Sequence, residues 1–285
     1  FRRVLFRSFF DVIVVDAPCS GSGLFRREPE AIEEWSEGNV ALCAQRQQRI
    51  LSDVWDSLKP GGLLIYSTCS YSLEEDEDNF DWIVNSLQAI PVSLNLASHW
   101  GIVDTGKGYR FWPDKIKGEG FYLAVFKKEK GEGDQPVRLK KKPALVGSRD
   151  MGMLGKWMQP DGFRLIQNDS TVYTWPAALE EAMALVLQQL HVTYSGVKAG
   201  DLMHRKLVPD HALAMSRILS DSIEKVELSK EMAIRYLQKK ELDIPGSGIG
   251  WKLACFQGHP LGWMNVLRNR INNYYPGILR IRKEL

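Results

Sequence analysis

The sequence is poor in cysteine, and none of its four cysteines forms a close pair. Cys19, Cys43, Cys69 and Cys255 make no C-x-x-C motif, which argues against a zinc ribbon or a redox dithiol; each reads first as a buried free thiol. No apolar run approaches the roughly 18 residues of a membrane-spanning helix, so the expected setting is the cytoplasm, where thiols stay reduced. Net charge is only +2 and does not by itself imply a nucleic-acid partner. His99, His191, His204, His211 and His259 form no H-E-x-x-H pattern, so no metal site is expected. Initiator Met, signal peptide, internal repeat and low-complexity tract are all missing. Phe1 to Ser8 run abruptly into an apolar segment and are set aside.

What remains is a globular composition, 44% hydrophobic and 25% charged over 285 residues, enough for one large domain or two ordinary ones. Phe10 to Asp16 is a β-branched run closed by a Pro/Gly/Ser loop, hence a buried strand. Ile50, Leu51, Val54, Trp55 and Leu58 follow the i, i+3, i+4 spacing of a helix, and Lys59-Pro60-Gly61-Gly62 predicts its stop. Leu63 to Ser67 is the next strand. Strand, helix and strand make a βαβ unit and a parallel sheet, with ligands expected at the C-terminal strand ends. Loops 17–23 and 68–72 fall there. Ser72-Leu-Glu-Glu75 has capping-box spacing and predicts a helix through Trp82 and Val84, with Glu74 to Asp78 as its solvated acidic first turn. Gly120 to Phe126 is the last strand of this region.

From Lys127 to Lys142 seven Lys/Arg, Lys128 among them, stand against three acids, which predicts an exposed linker. The domains are therefore expected at 1–128, 129–145 (a basic linker) and 146–285. The last is mixed α and β, with helical segments over 176–190 and after Pro209, and a strand over 250–256. Near its end Arg268, Arg270, Tyr274, Tyr275, Arg280, Arg282 and Lys283 interleave cations with aromatics, a composition suited to unpaired bases and phosphates.

Two loops carry the chemistry, Asp16-Ala-Pro-Cys-Ser-Gly-Ser-Gly23 and Ser67-Thr-Cys-Ser-Tyr-Ser72. Each sets a cysteine just past a buried strand, where backbone N–H groups can lower a thiol pKa. A disulfide is a competing reading. A cysteine phosphatase is another, but it needs an Arg after five intervening residues; Phe25 stands there and Arg26 falls one late. A cysteine hydrolase would want a partner His, for which the histidines show no pattern.

At these residues the chain resembles the Sun/Nop family of RNA 5-methylcytosine methyltransferases. The stretches at 16–23 and 67–70 look like its two cysteine motifs, with Leu58-Lys-Pro-Gly-Gly62 between them. Arg110-Phe-Trp-Pro113 and Gly118-Glu-Gly-Phe-Tyr122 are similar to its closing motifs. Pro209-Asp-His-Ala-Leu-Ala214, Pro260-Leu-Gly-Trp263 and Tyr274-Tyr-Pro276 resemble the PUA-like extension of its bacterial RsmF-like branch.

The resemblance implies a partial Rossmann-like α/β methyltransferase sheet followed by a smaller α+β, PUA-like region that binds RNA. It makes Cys69 the nucleophile toward carbon 6 of a cytosine and Cys19 the group that assists proton removal and release. It puts Asp16 beside cofactor and base, gives Pro18 and Arg110 to substrate binding, and lets Gly21 and Gly23 allow close backbone approach. The implied cofactor is S-adenosylmethionine and the implied partner structured RNA, ribosomal first and transfer RNA second. The family's glycine-rich cofactor loop has no counterpart before Asp11, so the chain reads as truncated at its N-terminus. An alternative of another class is a non-catalytic RNA-binding module.

Overall fold

The computed structural model describes residues 6–131, 143–244, 246 and 248–283. The chain divides into two compact units, Phe1–Val137 and Arg138–Leu285. The greater part of the expected linker, 132–142, lies outside the described residues.

The first unit runs β1 (Phe10–Asp16), α1 (Glu30–Glu34), α2 (Glu37–Trp55), β2 (Leu58–Thr68), α3 (Glu77–Leu87), β3 (Ile90–Pro91), β4 (Val103–Asp104), β5 (Tyr109–Phe111) and β6 (Phe121–Lys127). The sheet order is β1-β2-β6-β5-β4, with β3 paired to β6. β1 and β2 are parallel, whereas β6 runs antiparallel to β2 and β5 antiparallel to β6. The predicted βαβ unit is therefore present inside a mixed sheet.

The Ser36 side chain caps α2 by accepting from Asn39 N–H at 3.1 Å. Val40, Cys43, Ala44, Gln47 and Leu51 then recur at helical spacing and are its buried residues. Beside Leu51 the core holds Val15, Leu64, Tyr66, Phe80, Ile83 and Phe126. The helix ends at Trp55, earlier than the Pro60 signal suggests. Leu58 belongs to β2, which begins before Pro60 and has a register irregularity opposite Phe10–Val12. β1 is at the sheet edge, and its Val12 and Val14 are exposed.

Lys128 corrects the linker reading. Burial lowers its pKa, yet its ammonium donates to Trp55 O (2.8 Å) and Leu58 O (2.9 Å) and lies over the Trp55 ring. The cation closes the end of the α2–β2 turn by donating to two of its carbonyls.

The second unit contains α4 (Ser148–Leu154), β7 (Phe163–Asn168), β8 (Thr171–Pro176), α5 (Glu180–Gln189), β9 (Val197–Met203), β10 (Lys206–Pro209), α6 (His211–Ala214), β11 (Lys225–Glu227), α7 (Lys230–Leu237), β12 (Gly250–Phe256), β13 (His259–Val266) and β14 (Ile271–Asn273). It builds two four-stranded sheets, β10-β9-β8-β7 and β11-β12-β13-β14. One core joins them, with Leu165, Val172 and Leu207 from the first and Leu253, Cys255 and Trp263 from the second. Trp263 is fully buried and donates from Nε1 to Asp210 O at 2.8 Å, so the Pro209–Ala214 motif is tied to β13.

Candidate active site

Parallel pairing of β1 with β2 sets Asp16 opposite Ser67, so the loops that follow these strands leave the sheet side by side. Three backbone N–H donors tie them together. Ala17 N–H donates to Ser67 O (2.9 Å), Gly23 N–H to Cys69 O (2.7 Å), and Tyr71 N–H to Ser22 Oγ (2.8 Å). Gly23 allows the close backbone approach expected of it, whereas a Cβ on Gly21 would meet only Leu24 Cδ1, at 4.0 Å, and that glycine serves its backbone angle instead. Gly21 has φ +78°, and a Cβ on Gly23 would stand 2.3 Å from Cys69 O, a distance at which the loops could not meet.

The result is a thiol pair, with Cys19 Sγ 2.9 Å from Cys69 Sγ and both half-buried. Cys43 and Cys255 are buried elsewhere. The hydrogen bond from Cys19 is the main influence lowering the Cys69 pKa, and it outweighs burial and the negative charges of Asp16 and Glu75. The same bond, followed by burial, holds Cys19 well above the ordinary thiol range. One sulfur is thus disposed to be the thiolate and the other its proton-bearing partner. Asp16 is exposed at the end of β1 and accepts from Ser67 Oγ at 3.2 Å; Pro18 is exposed, and its carbonyl accepts from Gln47 Nε2 at 3.0 Å.

Beneath the thiols lies a polar network that the sequence reading missed. Glu75 and Asp76 are completely buried, so they are not part of a solvated first turn. A 3-10 turn at Leu73–Glu75 precedes α3 and directs both side chains inward. Glu75 accepts from Ser20 N–H (2.9 Å), Ser20 Oγ, Ser70 Oγ (2.6 Å) and Gln47 Nε2 (2.9 Å). Gln47 Oε1 in turn accepts from Asn79 Nδ2 at 2.7 Å. Asp76 accepts from Thr68 Oγ1 at 2.5 Å; burial pushes its pKa up to about 8, although Arg110 and Thr68 pull it down.

Arg110 also departs from expectation. Its side chain is 3% exposed and forms a bidentate pair with Glu77, an ion pair with Asp76 at 2.6 Å and a bond to Ser70 O at 3.2 Å. The guanidinium lies over the rings of Trp112 and Tyr122, and Trp112 stacks on Tyr71 at 5.3 Å. Arg110 therefore supports the Cys69 loop from behind, with its side chain buried. The only sequence signal for this network was the density of acids after Ser72, and composition cannot distinguish an inward carboxylate from an outward one.

In the second unit Arg268, Arg270, Arg280, Arg282 and Lys283 are exposed, as is Tyr274. Tyr275 is not free to stack on a base, since its ring meets His211 and Tyr236 edge-on. Among the described residues no cluster of three or more His, Cys, Asp or Glu could hold a metal, and no helix is long and apolar enough to cross a membrane.

By fold class, the first unit carries a Rossmann-like methyltransferase sheet and the second ends in a PUA-like domain. Residues 1–127 match the family described as 16S rRNA methyltransferase RsmB/F, and residues 223–281 match the methyltransferase RsmF PUA domain. Among curated relatives it is 26% identical over 308 residues to ribosomal RNA small subunit methyltransferase F of Shewanella loihica, and 29% identical over 286 residues to that of Psychromonas ingrahamii. These alignments cover 97% and 94% of the chain but only 59% of each relative's length. The solved structure of NSun6 from Pyrococcus horikoshii with SFG is 30% identical, with 42% of this chain and 30% of that chain covered and a TM-score of 0.37.

Proposed function

We propose that the protein methylates carbon 5 of a cytosine in small-subunit ribosomal RNA in the cytoplasm, with Cys69 as nucleophile and Cys19 as its partner. The observation that carries this reading is the thiol pair itself, two sulfurs 2.9 Å apart at neighbouring strand ends with their acidities driven in opposite directions. A cysteine acting alone has no use for a second thiol. The choice of RNA follows the names of the relatives, which are small-subunit enzymes.

The Cys69 thiolate adds to carbon 6 and breaks the 5,6 double bond, which makes carbon 5 electron-rich. S-adenosylmethionine, when bound, supplies the methyl group. Of its holders the described residues offer Asp16 alone, so they fit part of such a site and not all of it. Bonding of Cys69 to carbon removes the contact that kept the Cys19 proton in place. Cys19 can then lose that proton to solvent and take the one on carbon 5. The electrons of that C–H bond restore the double bond, and Cys69 leaves as thiolate. A base can reach these sulfurs only unstacked, so the target is unpaired or flipped.

The test uses protein expressed from its complete reading frame, S-adenosylmethionine labelled in its methyl group, and either small-subunit ribosomal RNA or transfer RNA. After digestion to nucleosides, label is expected as 5-methylcytidine from the ribosomal RNA. Label in transfer RNA would correct the substrate, and label in another nucleoside would reject the reaction.

Binding through the second unit is a separate expectation, motivated by its exposed cations. Changing Arg268, Arg270 and Arg282 together to Ala should weaken RNA binding and flatten the log–log salt dependence by roughly 0.7 to 0.9 for each phosphate that is no longer neutralised. Filter binding across a salt series measures it, and an unchanged slope would remove these residues from the RNA surface.

A further inference from the structure

We infer that Glu75 is a positioning residue that holds the Cys19 loop against the Cys69 loop through hydrogen bonds to both. The inference rests on the proposed roles of the two thiols. Glu74 and Asp78 of the same acidic run face solvent, whereas Glu75 is completely buried. Such a carboxylate is tolerated only if its acceptor sites are filled, and four donors fill them, none of them a cation. Ser20, next to Cys19, gives its backbone N–H and its hydroxyl. Ser70, next to Cys69, gives its hydroxyl. Gln47 of α2 gives the fourth while its other amide hydrogen goes to Pro18 O. One group is thus bonded to the neighbour of each of the two cysteines.

Apart from the thiol contact itself and a long Ser20 Oγ···Ser70 Oγ contact of 3.4 Å between two hydroxyls that both donate to Glu75, the links between the loops lie at Ala17, Ser22 and Gly23, so Glu75 holds the Cys19–Ser20 segment between them. It acts through geometry. Its negative charge opposes ionisation of Cys69, so a carboxylate placed there to tune acidity would work against the nucleophile. Glutamine has the same length and can keep the connections, because both serine hydroxyls can also accept. Aspartate is one methylene shorter and cannot reach both loops.

The test needs no RNA and uses the 285-residue chain. The pH midpoint of Cys69 alkylation by iodoacetamide is read by mass spectrometry. A second measurement is the rate at which diamide, a two-electron thiol oxidant, joins Cys19 and Cys69 in a disulfide while being reduced to the hydrazine. Glu75→Ala and Glu75→Asp should raise the midpoint by about one pH unit, because Cys19 no longer donates reliably to Cys69, and slow disulfide formation about tenfold. Glu75→Gln should leave the midpoint at or below the wild-type value, and Glu74→Ala should change neither reading. Circular dichroism reports whether each variant folds. If Glu75→Ala does not, the double variant Ser20→Ala/Ser70→Ala is expected to reproduce both effects. Unchanged midpoint and rate in a folded Glu75→Ala, or in the double serine variant, would overturn the inference. So would Glu75→Gln behaving like Glu75→Ala, since a side chain of the same length that can keep the connections would then fail to hold the loops. The methyl-transfer reading fails separately, on labelled RNA.

Discussion

Cys19→Ala accumulates a covalent protein–RNA adduct that survives a denaturing gel, and Cys69→Ala forms none and transfers no methyl group: this is the result expected of the full-length protein with labelled RNA and S-adenosylmethionine. The asymmetry follows from the order of bond making. Cys69 makes the bond to carbon 6, so without it the reaction never starts. Cys19 is needed only after methylation, when the carbon 5 proton must go before Cys69 can leave. Losing a positioned proton acceptor slows such a step by on the order of 10²- to 10⁴-fold, long enough for the adduct to persist. An adduct with Cys69→Ala in place of Cys19→Ala would reverse the two roles.

Arg110→Met should destabilise the first unit by about 3–5 kcal/mol, the usual cost of removing one partner from a buried ion pair. Glu77 loses its cation, Asp76 loses the guanidinium beside it, and Ser70 O loses a donor. The loss should depend on pH. Asp76 is raised to about 8 in the folded protein and lies at about 4 in an unfolded chain. Between those values the folded state holds the extra proton, so this group's contribution to stability is full below about 4 and declines as pH rises to about 8. Methionine at 110 removes the pull of the guanidinium, lifts the folded value further and carries the decline to higher pH. The penalty should therefore be larger at pH 9 than at pH 6, and urea melts of wild type and variant at the two values measure it. An equal or smaller penalty at pH 9 would show that Asp76 is ionised across the whole range.

The strands at 10–16 and 121–127 were legible because β-branched and aromatic runs bounded by Gly and Pro are local signals. The second unit was less so. Val197-Lys-Ala-Gly-Asp-Leu-Met203 mixes a glycine and two charges into β9, and its strand character comes from pairing with β8 and β10. Lys128 was misread because nothing in a run of cations marks the one whose stem reaches back across Trp55. Tyr275 was counted as a free aromatic because the packing of His211 and Tyr236 against it joins residues far apart in the chain.

By itself the sequence determined the two cysteine loops, their position at the ends of consecutive strands, and the family resemblance, since these depend on residue order and local backbone preference. It could not determine that the sulfurs lie 2.9 Å apart, that Glu75 and Asp76 point inward, or that Arg110 is buried behind the Cys69 loop. Those facts belong to the tertiary structure for one physical reason. Whether a charged side chain is solvated or buried depends on partners that strand pairing and helix packing bring from tens of residues away, and a carboxylate has the same place in the sequence in either case.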